Sequence, residues 1–270
     1  MDFKKILATF LVVFVAIDIF LAFQWFQIHQ PAANPTATES ILSEMKSDGI
    51  QVGELDTDSQ TGAYIGGQDG DEFLKANMDS LDKRWSTKLT GKQLTATLDK
   101  PVFMGTSRSD VRKSLQKLVD DKTQVIAGAQ YMYDATLTEY ANNDSDNSAM
   151  VVYTQKMTNR RQFMTSRAQI RFLLDKNHDL KGYTQTYVSN AQVLRDSTTL
   201  ISEEKALIGA YQYNEIPNNG KLNWSHMGYA PLTTVGDDTI FVPAWIFSVT
   251  DGTGNTTLLR INALNGALMK

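Results

Sequence analysis

Ile6-Leu-Ala-Thr-Phe-Leu-Val-Val-Phe-Val-Ala-Ile-Asp-Ile-Phe-Leu-Ala-Phe-Gln-Trp-Phe26 is a long apolar run in an otherwise polar chain, and its reading separates a membrane part from a folded remainder. At about 1.5 Å rise per residue a helix of this length spans about 31 Å, the thickness of a bilayer hydrocarbon core. Only a helix satisfies its own backbone groups there. Lys4 and Lys5 precede the run and the next basic residue is Lys46. That asymmetry predicts a cytoplasmic tip (residues 1–5), a transmembrane helix (6–26) and an outward-facing C-terminal domain. A cleaved secretory signal would have a shorter apolar core ending at small residues. Here the run is longer, contains Asp18, and leads into Gln24-Trp-Phe-Gln-Ile-His29, whose Trp25 and His29 suit a membrane interface. The expectation is therefore a retained anchor.

Composition bounds the rest. The chain has 270 residues, a net charge of −4 and 42% hydrophobic residues, ample for a sizeable core outside the anchor. Asp2 and Asp18 balance Lys4 and Lys5, so the outer part carries the whole charge. No basic tract stands out, which argues against nucleic acid as a partner. The absence of cysteine excludes disulfides, thiol chemistry and a lipoprotein anchor.

Residues 27–50 read as a linker and juxtamembrane segment: Pro31 to Thr38 leaves the membrane, then a brief helix over Glu39–Lys46 ends at Gly49. Residues 51–105 form the N-terminal part of the outer domain. Within it, 51–70 are rich in Asp, Gly and Gln and read as irregular, and Asp71–Trp85 has the 3.6 period of a helix. Two stretches of similar order follow, 106–196 and 197–270. The first opens at Ser107-Arg-Ser-Asp110, a capping-box variant, and its helix is followed by strand-like segments near Val125–Tyr140, Ala149–Met157, Ala168–Asp175 and Leu180–Val188. The second opens at Ser202-Glu-Glu204, with strands near Leu222–Thr234, Thr239–Val249, Thr256–Asn262 and Ala267–Met269. Tight turns are expected at Asp175–Asp179 and Asn262–Gly266. The predicted fold is α+β: a transmembrane helix, then two similar modules, each one helix followed by an antiparallel β-meander. Phe241-Val-Pro-Ala-Trp-Ile-Phe247 is apolar on both faces, as in a central strand, and its Pro243 calls for an edge or a bulge.

Chemistry-bearing motifs are scarce. His29, His178 and His226 have no zinc-type spacing, and no G-x-S-x-G, P-loop or H-E-x-x-H occurs. Acidic pairs at Asp56/Asp58, Asp69/Asp71 and Asp144/Asp146 invite a calcium reading, but the Asn142-x-Asp144-x-Asp146 run lacks the Gly and the downstream Glu of a calcium loop, and a solvated hairpin loop explains it. No metal, cofactor or catalytic residue is expected. Tyr211, Trp224, Tyr229 and Trp245 are candidates for a ligand groove, against the plainer reading that such aromatics fill a core. Asp18 is the exception. A charge at mid-bilayer costs about 2.5–3.5 kcal/mol on insertion scales and generally faces protein rather than lipid. Leu7, Leu11, Phe14, Asp18, Leu21 and Trp25 share one helix face with it and form a candidate partner-binding seam.

Met1-Asp-Phe-Lys-Lys5 and Ala16-Ile-Asp-Ile-Phe-Leu-Ala-Phe-Gln24 resemble the start of YycI-type proteins, membrane-anchored regulators of the essential cell-wall two-component system of low-GC Gram-positive bacteria. Phe241–Phe247 followed by Arg260-Ile-Asn-Ala-Leu-Asn-Gly266 is similar to that family's closing strands and turn. The resemblance implies an outer domain related to that of a YycH-type sibling. It also implies binding to the system's sensor histidine kinase together with that sibling, with contacts through membrane helices, and it brings no enzymatic residues. The leading expectation is a non-enzymatic, single-pass regulator of that kinase. The alternatives are an extracytoplasmic module that senses a cell-wall, lipid or peptide ligand, and a hydrolase of unrecognised type.

Overall fold

The computed structural model describes Phe14 and residues 37–142, 148–157 and 161–269. The apolar run 6–26 therefore lies outside the described residues except at Phe14, where the backbone is helical and the side chain exposed. No helix among the described residues is long and apolar enough to cross a membrane. The chain divides into two compact units, Met1–Glu44 and Met45–Lys270.

In chain order the elements are α1 (Ala37–Ser47), β1 (Thr61–Gly62), β2 (Ile65–Asp69), α2 (Asp71–Asn77), β3 (Trp85–Thr90), β4 (Gln93–Phe103) and α3 (Arg108–Asp120). Next come β5 (Tyr131–Tyr133), α4 (Ala135–Asn142), β6 (Ser148–Gln155), β7 (Gln169–Asp175), β8 (Asp179–Gln185), β9 (Val188–Val193) and β10 (Thr198–Thr199). The chain closes with α5 (Glu203–Gln212), β11 (Lys221–Val235), β12 (Asp238–Thr250), β13 (Thr256–Asn262) and β14 (Leu268–Met269).

The strands of the second unit form two large antiparallel sheets and the small β1–β10 pair. The first sheet runs β3-β4-β8-β7-β6-β5, and the second runs β14-β13-β12-β2-β9 with β11 on the other side of β12. α3 precedes the sheet neighbours β5 to β8, with α4 between β5 and β6, and α5 precedes the sheet neighbours β11 to β14. Sheet membership does not follow the expected boundaries, however. The first sheet takes β3 and β4 from 51–105, while the second inserts β2 and β9 beside β12.

The start of α3 is set by a reciprocal cap. Ser107 Oγ accepts from Asp110 N at 3.1 Å and donates to Asp110 Oδ2 at 2.7 Å, which satisfies one orphan donor and holds the Asp110 carboxyl below the usual range. The helix then presents Val111, Leu115 and Val119 to the buried face of the first sheet. Trp85, Tyr183, Phe172 and Tyr153 run across that core as a chain of ring contacts with centroids 5.0, 5.5 and 5.7 Å apart. Both expected turns form. Asn177 N and Asp179 N donate to Asp175 Oδ1, and Gly266 takes a φ of 75° where an L side chain would be strained.

Three expectations about elements are corrected, and one hairpin is added. Residues 51–70 are not all irregular, since Ile65–Asp69 is the strand β2. Asp71–Trp85 is helical only to Asn77 with a 3-10 turn at Met78–Ser80, and Trp85 opens β3. The β3–β4 hairpin, unread in the sequence, turns at Gly91 with φ 57°. Val125–Tyr140 is a strand only at Tyr131–Tyr133. Asp134 then caps α4, accepting from Leu137 N at 2.9 Å and Thr136 Oγ1 at 2.7 Å. Its helix covers the part of β6 that β5 leaves unpaired: Asp134 N donates to Val152 O, Thr138 Oγ1 accepts from Val152 N, and the Asn142 amide bonds both Met150 N and Met150 O.

Pro243 needs neither edge nor bulge. In β12 its partner across β11 is Tyr229, whose own N–H and carbonyl are used by Gln162 and Met164 on the far side. The Pro243 backbone therefore points away from β11, into the interval between Phe241, the last residue of β12 paired with β2, and Ala244, the first paired with β13. Its carbonyl accepts from Ala263 N, and the missing N–H falls where no ladder partner stands.

Candidate functional site

Of the expected transmembrane seam, Leu7, Leu11, Asp18, Leu21 and Trp25 lie outside the described residues and only Phe14 is described. The four candidate groove aromatics are described, and the fold disperses them. Tyr229 is fully buried with Phe163 and Phe241. Trp245 donates Nε1–H to Ile201 O at 2.9 Å and stacks near Phe247. Trp224 pairs with Ser248, on the opposite face of the second sheet from Trp245, and packs against Ala244 and Ile246. Tyr211, near the end of α5, donates its hydroxyl to Asp48 Oδ2 at 2.8 Å. Core filling and hydrogen bonding account for these positions.

Among the described residues no group of three or more His, Cys, Asp or Glu could hold a metal ion. Asp58 N donates to Asp56 Oδ1, an ordinary turn. Asp69 is engaged elsewhere: its Oδ2 takes Arg167 Nη1 at 3.2 Å and also Lys92 Nζ, and Arg167 reaches Thr239 Oγ1 at 2.9 Å. That cluster ties β2 to β12 and to the β3–β4 turn, a structural role. The pair Asp144/Asp146 lies outside the described residues.

The clefts lie elsewhere than the sequence suggested. One of about 640 Å³ opens between the two sheets. Its walls come from α4, from the face of β6 and β7 opposite the α3 core, and from β12, β13 and β14. Leu137, Val152, Met164 and Ile246 belong to the apolar cluster that joins the sheets there. A second cleft of about 320 Å³ continues over β4, β7 and β8 and shares Met150, Ser166, Gln169 and Arg171 with the first. Sequence reading missed both because their linings are gathered from strands far apart in the chain. The signal available was the alternation in β7, where Arg171 and Leu173 are exposed between buried Ile170, Phe172 and Leu174.

Beside the larger cleft His226 sits on β11 opposite Ile246. Burial lowers its pKa, and the nearby Asp134 carboxylate partly opposes that shift. Asp134 Oδ2 is buried with no hydrogen-bond partner among the described residues. In the core behind the first sheet, burial raises the Tyr153 phenol to about 12, and Tyr131 and Tyr183 are likewise raised, so all three stay neutral.

Fold and surfaces together define an α+β domain of two antiparallel sheets with a cleft between them. The YycI protein family model matches residues 29–264, and the chain belongs to that family. YycI proteins are membrane-associated regulators of a two-component system, and the family is not known for enzymes. No curated protein matches the sequence. Three solved structures are similar. An uncharacterised protein from Eubacterium rectale has a TM-score of 0.48 at 8% identity, covering 82% of this chain and 89% of that one. YycH from Bacillus subtilis has a TM-score of 0.46 at 12% identity, covering 84% and 61%. The C-terminal domain of YpeB from Bacillus megaterium has a TM-score of 0.37 at 13% identity, covering 88% and 96%.

Proposed function

We propose that this chain is a single-pass membrane protein, N-terminus in the cytoplasm and C-terminal domain outside, that binds the sensor histidine kinase of the cell-wall two-component system together with a YycH-type sibling. Membership of the YycI family carries the reading. The sequence adds the route. A helix over 6–26 would place Asp18 among lipid tails, where an ionisable group is costly unless a protein neighbour receives it. The seam Leu7, Leu11, Phe14, Asp18, Leu21 and Trp25 would pack beside the kinase's own membrane helices and favour one signalling state. Such a bias requires different contact energies in the two states, since equal binding shifts nothing.

The test is Asp18→Leu in intact membranes. Insertion should be unchanged, co-purification of the kinase should fall by about tenfold, and signalling output should move away from wild type. Unchanged co-purification and output would dispose of the Asp18 contact. A ligand-sensing role for Tyr211, Trp224, Tyr229 and Trp245 gains nothing from their placement, because none of them lines either cleft.

A further inference from the structure

The larger cleft sets a patch of apolar side chains beside two arginines in a lining that is otherwise largely polar. Its floor carries Met150, Met164 and Met269, flexible side chains that adapt to irregular apolar partners, together with Val152, Ile246 and Leu258. Arg171 on β7 and Arg260 on β13 stand in its wall, from opposite sheets. Five other arginines are engaged: Arg84 and Arg167 with carboxylates, Arg112 and Arg195 over tyrosine rings, Arg161 with Gln60. Arg171 donates only its Nε–H, to Gln169 Oε1 at 2.9 Å, which orients the guanidinium and leaves its outer nitrogens free of any protein acceptor among the described residues. Among the described residues Arg260 has no ion pair and no Asp or Glu lines the cleft. In a chain of net charge −4, a cleft whose described lining holds two arginines and no acid favours an anion. Its volume of about 640 Å³ suits a small ligand that buries an apolar body and keeps an acidic end at the rim.

We infer that the inter-sheet cleft binds an amphipathic anion, an acyl chain ending in a carboxylate or phosphate, with Arg171 and Arg260 holding the acid group and the methionine-lined floor taking the chain. A guanidinium suits both acids because its fork matches two oxygens at once. Such capture neither needs nor excludes a kinase contact through the membrane helix.

The full-length protein in native membranes is photolabelled with three diazirine probes of equal chain length: a fatty acid, an alkyl phosphate and a neutral fatty alcohol. Labelled peptides are mapped by mass spectrometry. Expected are adducts from the acid, the phosphate or both on the segments bearing Met150, Met164 or Met269, displaced by unlabelled anion. The relative yields of those two probes identify the headgroup. The alcohol should label these segments about tenfold less, and the Arg171→Gln/Arg260→Gln double variant should lose a comparable factor with the acidic probes. Equal labelling by the alcohol would overturn the inference, as would adducts scattered evenly over the chain. Displacement by an acidic peptide but not by the unlabelled lipid anion would overturn it in favour of a protein ligand. Should the double variant fail to fold, the comparison of acid with alcohol on the wild-type chain decides alone.

Discussion

Ser107 and His226 show how single side chains set both stability and its pH dependence. Removing the Ser107 hydroxyl takes away the acceptor for Asp110 N and the donor to its carboxylate. Ser107→Ala should cost about 1 kcal/mol, read as a lower denaturant midpoint with unchanged slope. His226 is more than half buried and disfavours the charged ring. The unfolded chain therefore takes up this proton first as pH falls below the ordinary value of 6.5, so stability is full above that pH and declines below it. His226→Gln should flatten the decline below about pH 6.5, measured as melting temperature against pH. A separate acid limb comes from Asp82, Asp110, Asp121, Asp175 and Asp251. Hydrogen bonds from neighbouring backbone or side-chain groups hold them below 3.8, and their contribution is lost at lower pH.

Among the elements, the ends of strands are where side chains replace backbone. Gln155, at the end of β6, uses its amide as a surrogate strand: Nε2 donates to Val188 O and Oε1 accepts from Val188 N, both at 2.8 Å. Val188 opens β9, so this pair of bonds guides the chain from the first sheet to the second. Gln155→Leu keeps the volume and strands a buried N–H and a buried carbonyl. It should cost about 2–3 kcal/mol by urea unfolding, while the same change at exposed Gln192 should be nearly neutral. Helix α4 follows the same rule, since its polar side chains finish the edge of β6 that β5 does not reach. Periodicity could not distinguish that helix from a strand. Tyr131-Met-Tyr133 alternates like a strand, and the change begins at Asp134, whose cap to Leu137 was the signal to read. The β3–β4 hairpin was also legible, in the alternation of buried Leu94 and Ala96 with Thr95 and Thr97 and in Gly91 at the turn.

Across the whole molecule, the two meanders are bound together by exchange. β2 and β9 are sequence neighbours of the first sheet yet complete the second beside β12, and the Asp69–Arg167–Thr239 contacts fasten the same junction. A polypeptide of residues 197–270 would leave the β2 side of β12 bare over Asp238–Phe241. It should therefore lack the amide dispersion of a folded sheet in an NMR spectrum, and a native-like spectrum from that fragment would show the exchange to be dispensable. The four aromatics chosen from the sequence fell into separate environments for a related reason. Trp224 and Trp245 point to opposite faces of one sheet, and a strand's side-chain period of two decides that as soon as pairing is set.

Local chemistry was enough to read from the sequence the α+β class, the capped helices at Ser107 and Ser202, the turns at Asp175 and Asn262, the strands of both meanders apart from Val125–Tyr140, and the family. Those features depend on neighbours within a few residues. Tertiary structure alone decided which sheet β2 and β9 joined, how Pro243 is tolerated, and that Arg171 and Arg260 share a cleft between the sheets. These outcomes depend on hydrogen-bond partners and packing surfaces far apart in the chain, whose pairing leaves no local pattern to read.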